Sequence, residues 1–297
     1  MRSIRRAGLA ALVALGVSSG AQAATLDLAG GVLTYTAAVG AVNQLSASLG
    51  GGIYLIDDPG EASITIGSGA AAAGCANVDA NTVSCPRAAI SSWNVQLADQ
   101  SDTANLVQVL EPITFRGGPG NDNLNGGQNA DTFLWSPGDN NDAIEGSLGA
   151  DALSFSGSNS AENISVFLLL GDGFRVTRDI GNVSVDAFRV ESLTIQALGG
   201  DDVLNTIPLA TTLQIFDGGG QSLTDTLTYN ALGLCTIRAP GWLESPGGQP
   251  VNFTGFETVS ITNSCANPIP LPLSLRVMLA SLLGIAVIWS YRLAAKR

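Results

Sequence analysis

Apolar and polar residues alternate in short runs along most of the chain, and Gly, Asn, Asp or Pro separates one run from the next. Val32-Leu-Thr-Tyr-Thr36, Ile53-Tyr-Leu-Ile56, Ile64-Thr-Ile66 and Trp93-Asn-Val-Gln-Leu97 have the period of two that gives a strand one buried face. Ile164, Val166 and Leu168, then Leu193, Ile195 and Ala197, carry the same alternation. The pattern predicts an all-β body.

Two apolar runs lack the alternation, one at each end. Arg2, Arg5 and Arg6 precede Ala7 to Val17, and Ala21-Gln22-Ala23 supplies small residues at a cleavage position. Residues 1–23 therefore read as a secretory signal peptide, with Ala24 opening the mature chain. At the other end, Asn267-Pro-Ile-Pro-Leu-Pro-Leu273 leads into Val277 to Tyr291, which is closed by Arg292, Lys296 and Arg297. Counting Leu271, Leu273 and Leu275 brings this run near the ~20 residues of a spanning helix. Terminal cations favour a cytoplasmic C-terminus and an external body. This tail, 266–297, resembles the C-terminal sorting domains of Gram-negative bacteria, particularly the class opening with Ile-Pro-Thr-Leu. Here the opening is Ile269-Pro270-Leu271-Pro272-Leu273, and Arg276 inside the run is a second departure. The resemblance implies removal of the tail by a membrane protease during surface sorting; a permanent membrane anchor is the alternative.

The central stretch repeats every nine residues. Gly117-Gly-Pro-Gly-Asn-Asp-Asn-Leu-Asn125 matches G-G-x-G-x-D-x-U-x throughout, and Gly126-Gly-Gln-Asn-Ala-Asp-Thr-Phe-Leu134 departs only at Asn129. After the inserted Trp135 and Ser136, Pro137-Gly-Asp-Asn-Asn-Asp-Ala-Ile-Glu145 and Gly146-Ser-Leu-Gly-Ala-Asp-Ala-Leu-Ser154 keep the phase. The sixth positions are Asp122, Asp131, Asp142 and Asp151, and the eighth are Leu124, Phe133, Ile144 and Leu153. Six residues of Gly, Asn and Asp suit a tight turn in which carbonyls converge, and three form a short strand with one inward side chain. Turns then alternate between the two sides of a flattened parallel coil. Asp122 stacks with Asp142 and Asp131 with Asp151, each pair 20 residues apart because the insertion lengthens both coils equally. One inward apolar residue per repeat is a small core against about 1–2 kcal/mol of backbone entropy per ordered residue.

These repeats resemble the hemolysin-type, or RTX, calcium-binding repeats. The resemblance implies a parallel β-roll or β-solenoid over residues 113–156. It also implies calcium held by Asp122, Asp131, Asp142 and Asp151 and by the carbonyls of Gly117, Pro119, Asn121, Gly126, Gln128 and Ala130. A metal-free Gly/Asp-rich solenoid is the alternative. Phe174 to Asn182 and Val190 to Asp202 look like a segment found beside such repeats in exported bacterial proteins. The resemblance is thereby extended to a β-solenoid region over 157–265. Within it Asp202 and Asp225 sit in ligand-like places, but without paired neighbours in phase they read as structural. Residues 24–112 form a separate β module, similar to the N-terminal region of some exported calcium-binding repeat proteins. The limit near Glu111-Pro112 is loose, since one solenoid covering 25–262 fits as well.

Charge narrows the function. Between the two ends lie six basic residues against all 25 acids, a net charge of −19, which repels nucleic acid and suits a hard divalent cation. The absence of histidine removes Ser-His-Asp and Cys-His nucleophile pairs and the usual zinc sites. Asp139, Asp142 and Glu145 are the acids a carboxylate-dependent polysaccharide enzyme would use, yet repeat phase already accounts for Asp142. Four cysteines in an exported chain predict two disulfides, and local pairing 75–85 and 235–265 is expected among three possibilities. The expected protein is an exported, non-enzymatic surface or matrix protein whose Gly/Asp repeats bind calcium and are ordered by it; a surface adhesin that binds glycan is the second reading, and the polysaccharide enzyme the third.

Overall fold

The computed structural model describes residues 23–220 and 224–265. Apart from Ala23, the expected signal peptide and the whole C-terminal tail lie outside the described residues. The chain is all-β, with two large, mostly parallel sheets of 12 and 13 strands among the described residues. Its one α-helix there, Ser68–Ala72, is a single turn. No helix of the described residues is long and apolar enough to cross a membrane.

Through the repeats the chain crosses from one sheet to the other at every turn. Ile113–Arg116, Thr132–Trp135 and Ala152–Ser156 lie side by side in the first sheet, and Asn123–Asn125 and Ala143–Glu145 in the second. Asn123 pairs with Ala143 and Thr132 with Ala152, both in parallel register at the expected spacing of 20. The short strands end where Gly, Pro and Asn follow, because those residues supply the turn dihedrals that a ladder cannot use.

Leu124, Phe133, Ile144 and Leu153 all point inward and are buried. The core is larger than one apolar residue per repeat. Phe115 stacks on Phe133 with ring centroids 4.9 Å apart, and Trp135 on Phe155 at 4.0 Å. Trp135 belongs to the two-residue insertion, and its burial shows that the insertion adds core as well as length. Each of these rings contributes about 2–3 kcal/mol by burial. A stacked pair adds about 0.5–1.5 kcal/mol.

The sheets run through the boundaries expected at 112 and 156. Ile113–Arg116 is flanked by Ser92–Gln96 on one side and Thr132–Trp135 on the other, and Ala152–Ser156 continues into Ser192–Gln196. Antiparallel hairpins close the N-terminal end, where Gln44–Gly50 pairs with Ile53–Asp57 and then Thr82–Pro86. A disulfide joins Cys75 to Cys85 there, and a second joins Cys235 to Cys265 near the last strands. The second sheet also accepts an insertion, Asn163–Leu168, Gly173–Arg178 and Val183–Phe188, paired antiparallel. Ile164 and Val166 are buried in it as the alternation predicts. Leu168 is 57% exposed, because the hairpin runs past the parallel ladder, which ends at Ser165.

Candidate metal centre

The sixth-position aspartates occupy equivalent places at the ends of successive turns. All four are buried, at 1–7% exposure. Parallel stacking brings each carboxylate under the backbone of the turn one coil earlier. Asp142 Oδ1 accepts the Asp122 N–H at 2.9 Å, and Asp122 Oδ1 accepts the Asp102 N–H at 2.8 Å. Asp102 Oδ1 in turn accepts the Asn43 N–H at 2.7 Å. On the opposite side of the coil, Asp131 Oδ1 accepts from Ile113 N–H, Asp151 Oδ1 from Asp131 N–H, and Glu191 Oε2 from Asp151 N–H. A third line runs from Glu162 through Asp202 and Asp225 to Glu257 in the same manner. The carboxylates therefore satisfy backbone donors at stacked turns, a structural role that needs no ion.

Asp202 and Asp225 do have stacked partners, contrary to the expectation from sequence. Their partners are 23 to 40 residues away, because the insertion and the longer last coils break the 20-residue spacing. Asp102, Glu191, Glu162 and Glu257 were not singled out by the glycine pattern either. Asp102 carries a weaker signal: it stands 20 residues before Asp122, with Ala104 as the inward residue two positions on.

One oxygen of each carboxylate is thus used, and the second differs along the lines. Asp131 Oδ2 accepts the Gly127 N–H at 2.6 Å. The Oδ2 atoms of Asp102, Asp122, Asp151 and Asp202 are buried with no hydrogen-bond partner. Among the described residues, no hydrogen bond ends on the carbonyls of Gly117, Pro119, Asn121, Gly126, Gln128 or Ala130. By contrast, the carbonyls of Asp122 and Asp131 accept the N–H groups of Ala143 and Ala152. Glycine permits this close stacking. A Cβ on Gly120 would lie 1.4 Å from the carbonyl oxygen of Gln100, and one on Gly117 would lie 2.2 Å from Asp122 Oδ2.

Burial raises these carboxyls well above the ordinary 3.8. It pushes Asp142 up to about 8, with neighbouring Asp122 and Asp139 adding to the effect. Asp102 and Asp151 are pushed up to about 7, and Asp122, Asp131 and Asp202 to about 6, against the lowering effect of the backbone N–H bonds. Elsewhere in the body arginine neutralises acids. Arg178 pairs with Glu162 at 2.6 Å with both side chains buried, and Arg189 and Arg87 pair with Glu145 and Glu111. Among the described residues, no such ion pair reaches Asp122, Asp131, Asp142 or Asp151. Arg116 acts on Asp139, opposing the raising effect of burial.

Hard oxygen donors with orphaned buried atoms fit a cation such as calcium, which takes carboxylate and carbonyl oxygen together. The described residues contain no group of three or more His, Cys, Asp or Glu side chains gathered as a metal-holding cluster. Any ion here would depend on turn carbonyls as much as on carboxylates. Asp139 and Glu145, the remaining acids of an enzyme reading, are occupied by the Ser136 N–H and by Arg189. No protein-family model matches the chain, and neither a curated protein nor a solved structure matches it significantly.

Proposed function

We propose that the protein is an exported, non-enzymatic surface or matrix protein whose stacked Gly/Asp turns bind Ca2+ and are stabilised by it. The two sheets would then form one β-solenoid, with a β-roll of the hemolysin type at its centre. The carrying observation is the combination at 117–151 among the described residues: orphaned buried Oδ2 atoms on Asp122 and Asp151, six unengaged turn carbonyls, and no arginine paired with the carboxylates. One ion would lie with the turns of Asp122 and Asp142, using carbonyls of Gly117, Pro119 and Asn121. A second would lie with the turns of Asp131 and Asp151, using carbonyls of Gly126, Gln128 and Ala130. Bound calcium supplies positive charge that keeps the carboxyls ionised at neutral pH. The chain's part is to hold the carboxylates in place through the backbone N–H groups they accept.

Calcium is scarce inside cells and plentiful outside, so the ion would strengthen the coil only after export. The signal peptide at 1–23 and the sorting tail at 266–297 belong to the same reading, and the tail would place the protein at the membrane until it is processed. Calorimetric titration of the purified protein with calcium, before and after chelation, tests the binding. Saturable binding with gain of amide-exchange protection across 117–154 supports the proposal. No heat and unchanged protection leave a metal-free ladder in its place. Intact-mass analysis of surface-extracted protein tests the tail: loss of residues beyond about Pro270 supports sorting, and retention of Lys296 and Arg297 means a permanent anchor.

A further inference from the structure

The inserted hairpin strands have an outward face that the calcium reading does not use. Where they meet the turn at Asn141 they enclose a recess of about 570 Å³. That volume falls in the range of small-ligand sites, which are ordinarily apolar. This one is lined by Asn141, Asn163, Thr177, Asp179, Asn182 and Ser184, with only Val183 apolar, and Val183 is itself buried. We propose that the recess binds a saccharide through its hydroxyl groups, independently of whether the turns hold calcium.

The hydrogen-bond inventory points to such a ligand. Asn141 Oδ1 accepts the Ser184 N–H at 2.7 Å, and Asn163 Oδ1 accepts from Asn205 Nδ2 at 3.1 Å. These bonds fix both amides and leave their NH2 groups to donate. Asp179 Oδ1 receives the N–H groups of Asn163 and Ile180, so Oδ2 is left to accept. The Asn182 side-chain amide and the Ser184 hydroxyl bind nothing among the described residues. A wall of oriented donors beside acceptors matches sugar hydroxyls, each of which both donates and accepts.

Other ligand classes fit less well. Arg178 lines the recess, but it is 5% exposed and committed to Glu162, so the one uncompensated charge facing an anion is Asp179. An extended peptide has little edge to join: Gly173–Arg178 is paired on both sides, and the outer strands lack a parallel neighbour only over residues 166–168 and 183–185, where the Ser184 N–H is already taken by Asn141 Oδ1. Trp93 and Trp135 are buried and offer no stacking surface, so recognition rests on hydrogen bonds and affinity should be weak, with Kd on the order of millimolar.

The test is saturation-transfer NMR of the full chain against a panel of neutral, N-acetylated and uronic-acid oligosaccharides, in calcium and in chelator. Asn182 has φ +52°, so Asn182→Gly removes the amide without backbone strain, and Asp179→Asn keeps the Oδ1 acceptor while removing the charge. We expect at least one panel member to bind saturably in both conditions, with affinity falling at least fivefold in each variant and melting unchanged. Absence of any binding, or equal binding by both variants, overturns the assignment. Binding lost in chelator also overturns it, since that would place the sugar on the calcium turns.

Discussion

Asp122→Asn separates the two roles that the structure permits for a sixth-position aspartate. Asparagine keeps the Oδ1 acceptor for the Asp102 N–H, bonded at 2.8 Å, but it cannot carry charge. The Asp122 carboxyl is 2% exposed and raised to about 6 from 3.8, so its ionised form is disfavoured in the folded state by about 3 kcal/mol at neutral pH. Without calcium the substitution should therefore stabilise the protein, by up to about 3 kcal/mol. In a domain of this size that corresponds to roughly 6–12 °C in Tm. With calcium at a thousandfold excess over Kd the order should reverse, because the wild type gains about 4.1 kcal/mol per site and the variant loses one site. Asp122→Ala removes the same charge but leaves the buried Asp102 N–H unpaired, at about 1–3 kcal/mol, so it should be less stable than Asp122→Asn in both conditions. Differential scanning calorimetry of the three proteins in chelator and in calcium gives all six values. If wild type and Asp122→Asn melt in the same order in both conditions and bind calcium in equal stoichiometry, the aspartate is a turn-capping group and the metal reasoning fails.

Raised carboxyls also set a pH dependence. Because the folded-state values of Asp102, Asp122, Asp131, Asp142, Asp151 and Asp202 lie between about 6 and 8, the folded protein holds more protons than the unfolded chain from about pH 4 to 8. The calcium-free Tm should rise as pH falls from 8 to 5, and saturating calcium should flatten or reverse that slope; a calcium-free Tm that falls on acidification refutes the assignment. Gly120→Ala sets a Cβ against the Gln100 carbonyl at 1.4 Å, so it should cost about 3 kcal/mol or more in urea titration, whereas Gly220→Ala, which meets nothing within 4 Å, should cost little. Opening the Cys75–Cys85 and Cys235–Cys265 links, which span 10 and 30 residues, should cost about 3 and about 4 kcal/mol by chain entropy. Cys→Ser pairs with peptide mapping check this, and a cross-linked 75–265 peptide would contradict the pairing.

Local chemistry made much of the centre legible in the sequence. The nine-residue phase set which aspartates stack, which apolar residues turn inward and the 20-residue coil, because glycine turns and three-residue strands repeat their geometry wherever the same residues recur. The cysteine pairing followed from sequence proximity in the same way. Tertiary structure decided what depends on contacts at irregular separation. Asp202 and Asp225 joined a stacked line only because the hairpin insertion and the long last coils returned their partners to them, at 23 to 40 residues' distance. Trp135 counts as an insertion by period and as core by packing, since only the neighbouring coil supplies Phe155 to cover it. Leu168 fits a buried alternation and is exposed, because no parallel neighbour extends alongside it. Which acids are neutralised was settled likewise, by Arg178 pairing with Glu162 while, among the described residues, no arginine pairs with the sixth-position aspartates of the repeats. Periodic backbone geometry is written locally, but charge compensation and burial belong to whatever the fold brings alongside.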